Sequence, residues 1–228
     1  MRANNTMKKE KIFTFSNIVS AIVVALFIIT IAVVLTLNFK PLYYASIDQL
    51  NISETSGLSK EDIIDNYDAL IDYNFLFNRG ELSFPTLPMS DSGRIHFEEV
   101  KAIFDAIQIL LFIAIIVCIF LYIFKYRKGK TYFARMGAVL AVAFPAVLGT
   151  IIFANWEYFF VKFHEIFFDN DYWIFDAKTD PIITILPEEF FMYCAIMILA
   201  VILILSVLLF IFEYRKSPKE STRKESQL

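Results

Sequence analysis

The chain has 228 residues with a formal net charge of −3, and 57% of them are hydrophobic, including 25 Phe against 6 Gly and 7 Pro. Average soluble domains are roughly 45–50% apolar. This composition excludes a disordered chain, a collagen-like repeat and a small disulfide-rich domain. The apolar residues form long blocks, which is typical of a membrane protein.

Four of these blocks reach the roughly 20 apolar residues that a helix needs to cross a bilayer. They predict a mainly α membrane protein with four transmembrane helices and a small extracytoplasmic cap. The predicted transmembrane helices are 16–38, 103–125, 135–155 and 190–212, the extracytoplasmic segments are 39–102 and 156–189, and the cytoplasmic segments are 1–15, 126–134 and 213–228. The first block follows three lysines, as a signal peptide does. However, it is longer than the usual signal-peptide core and no small-residue cleavage motif follows, so we expect a retained anchor.

The basic and acidic residues are distributed unequally between the two predicted sides of the membrane. The cytoplasmic segments, with the adjoining helix ends, hold 14 of the 21 Lys and Arg residues but only 4 of the 24 Asp and Glu residues. Because Lys and Arg collect on the cytoplasmic side of membrane proteins, both termini are expected in the cytoplasm. The pattern gives no sign of a nucleic-acid partner.

The predicted extracytoplasmic segments contain two further helices of interest. Ser59 is a candidate N-cap for an amphipathic helix that ends near Tyr73. A helix capped by Ser90, Asp91 or Ser92 is predicted to run into the second transmembrane helix, which places His96 just above the membrane interface. In the second segment, His164 lies in a stretch dense in Phe, Tyr and Trp that is typical of an interfacial helix.

His96 and His164 are the two histidines of the chain, and both are predicted on the same side at similar depth. Burial and nearby charges can move a histidine pKa across neutrality, so at least one is a candidate for proton transfer, with a purely structural role as the alternative.

Other chemistries find less support. The sequence has no glycine-rich nucleotide loop and no serine nucleophile elbow, and Cys118 and Cys194 lie within apolar blocks. A metal site could draw on the acids near the two histidines, but no histidine pair has helical ligand spacing. We therefore expect neither a metal nor a cofactor.

Two segments resemble the signatures of a known family. The first is Ser-Asp-Ser-Gly-Arg-Ile-His-Phe-Glu-Glu-Val at 90–100. The second is Phe-His-Glu-Ile-Phe-Phe-Asp-Asn-Asp-Tyr-Trp-Ile-Phe-Asp at 163–176, followed by Thr-Asp at 179–180 and Leu-Pro-Glu-Glu-Phe-Phe at 186–191. They resemble the bacterial lipoprotein intramolecular transacylases, called Lit, which are four-helix integral membrane proteins. The similarity covers about residues 10–215.

This resemblance implies an acyltransferase of the bacterial cell membrane whose active site faces the extracytoplasmic side. Its substrate would be a diacylglyceryl lipoprotein held in the outer leaflet among membrane lipid. The acyl chain would move from the glyceryl sn-2 oxygen to the α-amino group of the N-terminal cysteine, giving an N-acyl S-monoacylglyceryl (lyso-form) lipoprotein. Converting an ester to an amide is downhill, so no nucleotide would be needed.

Within this hypothesis, His164 would act as the base and then as the acid, while His96 would stabilise the oxyanion or orient the substrate; the two roles could be exchanged. Arg94, Asn170 and Tyr73 are secondary candidates for substrate binding. Two alternatives stay open, namely a non-catalytic membrane sensor or assembly module and a metal-dependent membrane hydrolase.

Overall fold

The computed structural model describes residues 14–128 and 131–216, and its regular structure within these ranges is helical. The α-helices are α1 (Phe15–Asn38), α2 (Lys40–Gln49), α3 (Ile52–Ser56), α4 (Lys60–Tyr73), α5 (Asp91–Phe124), α6 (Tyr132–Ala154), α7 (Trp156–Phe167) and α8 (Glu188–Lys216), with short 3-10 turns at Tyr126–Lys128 and Pro181–Thr184. The cations predicted on the cytoplasmic side at 2–11 and in the tail after Lys216 lie outside the described residues.

Three of the described helices, α1, α5 and α8, are long and apolar enough to cross a membrane. The 34 residues of α5 extend over about 51 Å at 1.5 Å per residue, which exceeds the roughly 30 Å of a bilayer core. Its apolar stretch begins at Ile103. We call the first three turns of α5, residues 91–102, the projecting turns, because they precede this apolar stretch; His96 lies on them.

The helix α6 is also apolar, with Pro145 inside it, and α1 packs against α5, α6 and α8. Small residues allow this close packing. A Cβ atom added to Gly137 of α6 would lie 2.6 Å from the Val24 Cβ and 2.8 Å from the Ala21 carbonyl oxygen of α1. Close backbone approach at small residues is a main source of helix association in membranes, where the hydrophobic effect between helices is weak.

A second hydrophobic core lies beyond this bundle, in a layer that we call the end layer. It consists of α2, α3, α4, the connection 75–90, the projecting turns of α5 and the 3-10 turn at Pro181–Thr184. At its centre the Tyr43 ring stacks on the Tyr67 ring, with centroids 3.6 Å apart, and meets the edge of Phe190 at the start of α8. The Tyr43 hydroxyl donates to the Ile185 carbonyl oxygen at 2.7 Å. The end layer is thus tied directly to the start of the long apolar helix α8.

Ser59 is confirmed as an N-cap, and Ser90 is the N-cap among the three candidates Ser90, Asp91 and Ser92. The Ser59 hydroxyl accepts from the Asp62 amide at 3.0 Å, and the Ser90 hydroxyl accepts from the Gly93 amide at 3.0 Å. These bonds satisfy amide groups that have no partner within the first helical turn.

The start of α5 receives a further contact from the segment that follows α7. The buried Asp180 carboxylate accepts from the Ser90 amide at 2.8 Å, where its charge suits the positive end of the helix. Gly93 lies against this carboxylate, and a Cβ at that position would overlap an Asp180 oxygen. The contact positions His96, one turn further along α5.

We predict that Gly137→Ala destabilises the bundle by about 1–3 kcal/mol, because the new methyl group meets α1 side-chain and backbone atoms that have no room to move. The matched control is Gly149→Ala on the same helix, where the added Cβ would lie 3.4 Å from a Leu199 methyl group. The thermal unfolding midpoint of the detergent-purified protein measures both effects. Equal midpoints for the two variants would contradict the packing argument.

Candidate active site

The two histidines lie together. The His96 ring of α5 and the His164 ring of α7 have centroids 6.1 Å apart, although 67 residues separate them in sequence. The segment 168–175, which we call the aromatic loop, surrounds the pair. Phe168 contacts both rings, with centroids 4.7 Å from His96 and 5.7 Å from His164. Trp173 stacks on His164 at 4.6 Å, and Phe175 meets His96 edge-on at 5.4 Å.

The hydrogen bonds of the two rings differ. His164 Nδ1 lies 2.7 Å from the Phe160 carbonyl oxygen, and because a carbonyl can only accept, Nδ1 must carry a proton. In the neutral ring this leaves the Nε2 lone pair free to take up a proton. His96 is 5% exposed, and its buried Nδ1 has no hydrogen-bond partner within the described residues. One ring is therefore oriented by the backbone, while the other has a polar atom for which the described residues supply no partner.

Burial controls the charge of both rings. Loss of solvent lowers the pKa of His96 to about 4, and repulsion from His164 adds to the effect. Burial also lowers the pKa of His164, partly opposed by the bond from its Nδ1 to the Phe160 carbonyl. Both imidazoles are consequently neutral at pH 7, which is the form that can accept a proton.

Both rings line one cavity of about 490 Å³. It lies between α5 on one side and α7 and α8 on the other, with residues of α1 and α4 also in its wall. Along α5 its wall runs from His96 to Ile107, a distance of about 16 Å at 1.5 Å per residue. The cavity thus connects the histidine pair with the level at which the apolar part of α5 begins.

A polar contact joins α5 to the aromatic loop beside the pair. Asn170 Nδ2 donates to Glu99 Oε1 at 2.8 Å. The second oxygen of this carboxylate, Oε2, is buried and has no hydrogen-bond partner among the described residues.

The secondary candidates occupy different places. Asn170 binds Glu99 on the helix that carries His96, whereas Arg94 is on the outer surface of α5 and pairs there with Glu98. Tyr73 is buried at the end of α4, beneath the Lys101 ammonium group, which lies 5.2 Å from its ring centroid. None of these three candidates is part of the cavity wall. Their roles in substrate binding stay predictions.

The sequence did not identify the aromatic residues that surround the histidine pair. The aromatic residues 168, 173 and 175 belong to a dense Phe, Tyr and Trp segment in which no periodicity distinguishes packing residues from site residues. The sequence offers Glu99 only as one of the acids near the histidines that could join a metal site, although its position three residues after His96 places both near one face of α5. In the described residues, no group of three or more His, Cys, Asp or Glu side chains is arranged to hold a metal ion.

Comparisons with known proteins identify related molecules. The model of a family described as lipoprotein intramolecular transacylase Lit matches residues 18–191. The fold is similar to the structure of the membrane-integral lipoprotein intramolecular transacylase Lit from Bacillus cereus, with 40% identity and a TM-score of 0.86 over 91% of this chain and 96% of that chain. Among curated proteins no match was found.

Two further structures of the Bacillus cereus protein are similar as well, each with 39% identity and a TM-score of 0.83. One carries a histidine-to-arginine mutation and is matched over 91% of this chain and 92% of that chain. The other carries a histidine-to-alanine mutation and is matched over 90% and 94%.

We predict that both imidazoles stay neutral down to mildly acidic pH, with His96 titrating near pH 4. An NMR titration of the imidazole signals measures this directly, because the chain has only 2 His and a single His-to-Asn variant assigns both rings. Titration of either ring at or above its ordinary value of about 6.5 would contradict the assigned burial.

Proposed function

Since this chain belongs to the lipoprotein intramolecular transacylase (Lit) family, we propose that it converts a diacylglyceryl lipoprotein into the lyso form. The sn-2 acyl chain would move to the α-amino group of the N-terminal cysteine of the same molecule. The observation that carries this proposal for the chain itself is the pair of neutral histidines, one buried and one half-buried, on the wall of one apolar cavity.

The reaction requires little besides positioning of the substrate and proton transfer. The amine and the ester belong to one substrate molecule, so holding them in contact can supply up to about 7–11 kcal/mol of the barrier in ideal intramolecular cases. An α-amine with a pKa of roughly 7.7–8.0 must lose a proton, and the departing glyceryl oxygen must gain one. One imidazole that is neutral at pH 7 can perform both transfers.

The hydrogen bonds support His164 as this imidazole. Its Nδ1 is held by the Phe160 carbonyl, which orients Nε2 as the acceptor. The amine nitrogen attacks the ester carbonyl carbon, and its proton passes to Nε2. The tetrahedral intermediate then loses the glyceryl oxygen, which takes the proton from the imidazolium as the amide forms. His96 would donate its ring N–H to the oxyanion, and exchange of the two roles is the alternative.

The cavity supports an acyl chain as the transferred group. It extends from the histidines toward the apolar part of α5 and is lined mainly by aliphatic and aromatic side chains of α1, α5, α7 and α8. A lipid chain placed there would have its ester near the rings and its tail toward the bilayer. Asn170 beside the pair, Arg94 at the outer surface and Tyr73 in the end layer are the proposed polar contacts for the lipoprotein headgroup.

The proposed topology follows the charge distribution. We take α6 as the fourth transmembrane helix, beside α1, α5 and α8. The end layer would then be the extracytoplasmic cap, both termini would be cytoplasmic, and the histidine pair would face the outer leaflet of the bacterial cell membrane. Domain boundaries close to 16–38, 103–125, 135–155 and 190–212 are proposed for the four spans.

The reaction is tested by expressing the chain in a bacterium that makes only diacylglyceryl lipoproteins. We expect mass spectrometry to show an acylated N-terminal amine with an unchanged total lipid mass, which separates intramolecular transfer from acylation by a phospholipid. Unmodified amines in the presence of folded protein would overturn the proposed function.

In the same assay, His164→Ala and His96→Ala should each lower product formation by about 10²–10⁴-fold, the usual contribution of a positioned acid–base group. Lys162→Ala is the matched control, since Lys162 lies on α7 close to His164 but is exposed and paired with Glu165. Product at the wild-type level in either histidine variant would remove that residue from the mechanism.

The proposed topology predicts that two exposed positions lie on opposite sides of the membrane. Lys178→Cys, after the aromatic loop, should react with a membrane-impermeant maleimide in intact cells. Arg127→Cys, between α5 and α6, should react only after permeabilisation. A chain with Cys118 and Cys194 replaced by Ser supplies the background, and the reverse pattern would invert the proposed orientation.

A further inference from the structure

The end layer carries two exposed phenylalanines on one loop beside α5. The segment 75–79, which we call the phenylalanine loop, follows the C-cap of α4. Phe75 is 51% exposed and Phe77 is 76% exposed, and their rings meet edge to face with centroids 5.6 Å apart. Adjacent large apolar side chains that are exposed in this way mark a surface that contacts a membrane or a partner protein.

Gln108 fixes the level of this loop along α5. Its Nε2 donates to the Asn74 carbonyl oxygen at 3.0 Å, and its Oε1 accepts from the Leu76 amide at 3.3 Å. Gln108 lies five residues past Ile103, where the apolar stretch of α5 begins, and this corresponds to about 7.5 Å along the helix axis. The backbone of the loop is therefore level with the apolar part of α5 and not with its projecting turns.

The backbone of the loop also has the hydrogen bonds that a place in the membrane requires. The Phe75 carbonyl oxygen accepts from the Lys101 ammonium group at 3.2 Å and from the Asn78 amide at 2.9 Å. Gln108 adds its bonds to the neighbouring carbonyl and amide groups. Because unpaired backbone groups are costly in hydrocarbon, irregular chain occurs at this depth only where the protein supplies partners.

The side chains on either side of Gln108 follow the polarity of a bilayer. Arg79 has a side chain that is 75% exposed, and its Nη1 lies 3.8 Å from an Asp105 oxygen. Asp105 precedes Gln108 by three residues, about 4.5 Å nearer to the projecting turns. In the opposite direction, Ile109 is 49% exposed on the apolar part of α5. An exposed cation thus lies on the polar side of the loop and an exposed apolar side chain on the other, as headgroups and acyl chains do.

We propose that the phenylalanine loop inserts into the bilayer leaflet next to the end layer, with Phe75 and Phe77 among the acyl chains and Arg79 at the level of the phosphates. The partner of this surface is the lipid and not another protein chain. Asn74, which Gln108 binds, lines the histidine cavity, so the inserted loop holds one wall of that cavity at the lipid surface. The inference depends on α5 crossing the membrane, and it goes beyond the proposed acyl transfer.

The test is spin labelling of the full chain in nanodiscs of phosphatidylcholine and phosphatidylglycerol. A nitroxide is attached to Phe77→Cys in the chain with Cys118 and Cys194 replaced by Ser, and its collision rates with oxygen and with a polar nickel complex are measured. Ile109→Cys is the membrane reference, and Glu61→Cys, exposed in the first turn of α4, is the solvent reference. We expect the oxygen-to-nickel ratio at position 77 to match that at position 109 and to exceed that at position 61 at least about fivefold, because a polar complex is excluded from hydrocarbon.

A ratio at position 77 equal to that at position 61 would place the loop in water and overturn the proposal. Low collision rates with both reagents, together with magnetic broadening between the labels of two chains, would show a protein contact and overturn it as well. Neither result depends on whether the chain forms lyso-form lipoprotein, so failure of the proposed function is a separate outcome.

A second variant tests how the loop is held. Gln108→Leu removes both bonds to the loop, so we expect the label at position 77 to become more accessible to the nickel complex. Gln49→Leu, at the exposed end of α2, is the matched control and should leave the label unchanged. Unchanged nickel accessibility in Gln108→Leu would show that Gln108 does not fix the depth of the loop.

Discussion

The contact between the projecting turns of α5 and the segment that follows α7 is the constraint on which the site depends. Asp180 binds the amide end of α5 at Ser90, and Asn170 binds Glu99 two turns further along. Between these two contacts lies His96, against rings of the aromatic loop. The same loop packs Trp173 on His164. The distance between the two imidazoles is therefore set by several contacts at once, and separating the two segments would remove the site.

Burial gives the site its chemical character. The rings that bring the histidines together also exclude water, and this lowers the pKa of both imidazoles. A neutral imidazole can take a proton, but the cation that results is costly in such surroundings. In the proposed mechanism, one cavity therefore combines apolar side chains that suit a lipid chain with polar groups that suit proton transfer.

Much of the helical structure was predictable because its signals are local. Ser59 and Ser90 are N-caps followed by apolar residues at helical spacing, and both helices start there. Long apolar blocks identify α1, α5 and α8 as membrane helices. The packing of the end layer was not predictable from the sequence. Its core joins Tyr43, Tyr67 and Phe190 from three distant segments, and no local pattern relates residues so far apart in sequence.

The sequence by itself determined that this is a helical membrane protein with two histidines, and its motifs resembled the family to which it belongs. Periodicity, capping and hydropathy depend on neighbours along the chain, so one sequence is sufficient to recognise them. Only the tertiary structure decided that the two rings lie 6.1 Å apart and that the aromatic loop encloses them, while Arg94 and Tyr73 lie outside the cavity wall. These features arise from packing between segments about 70 residues apart along the chain, where the energy of a contact depends on shape and burial that no single segment encodes.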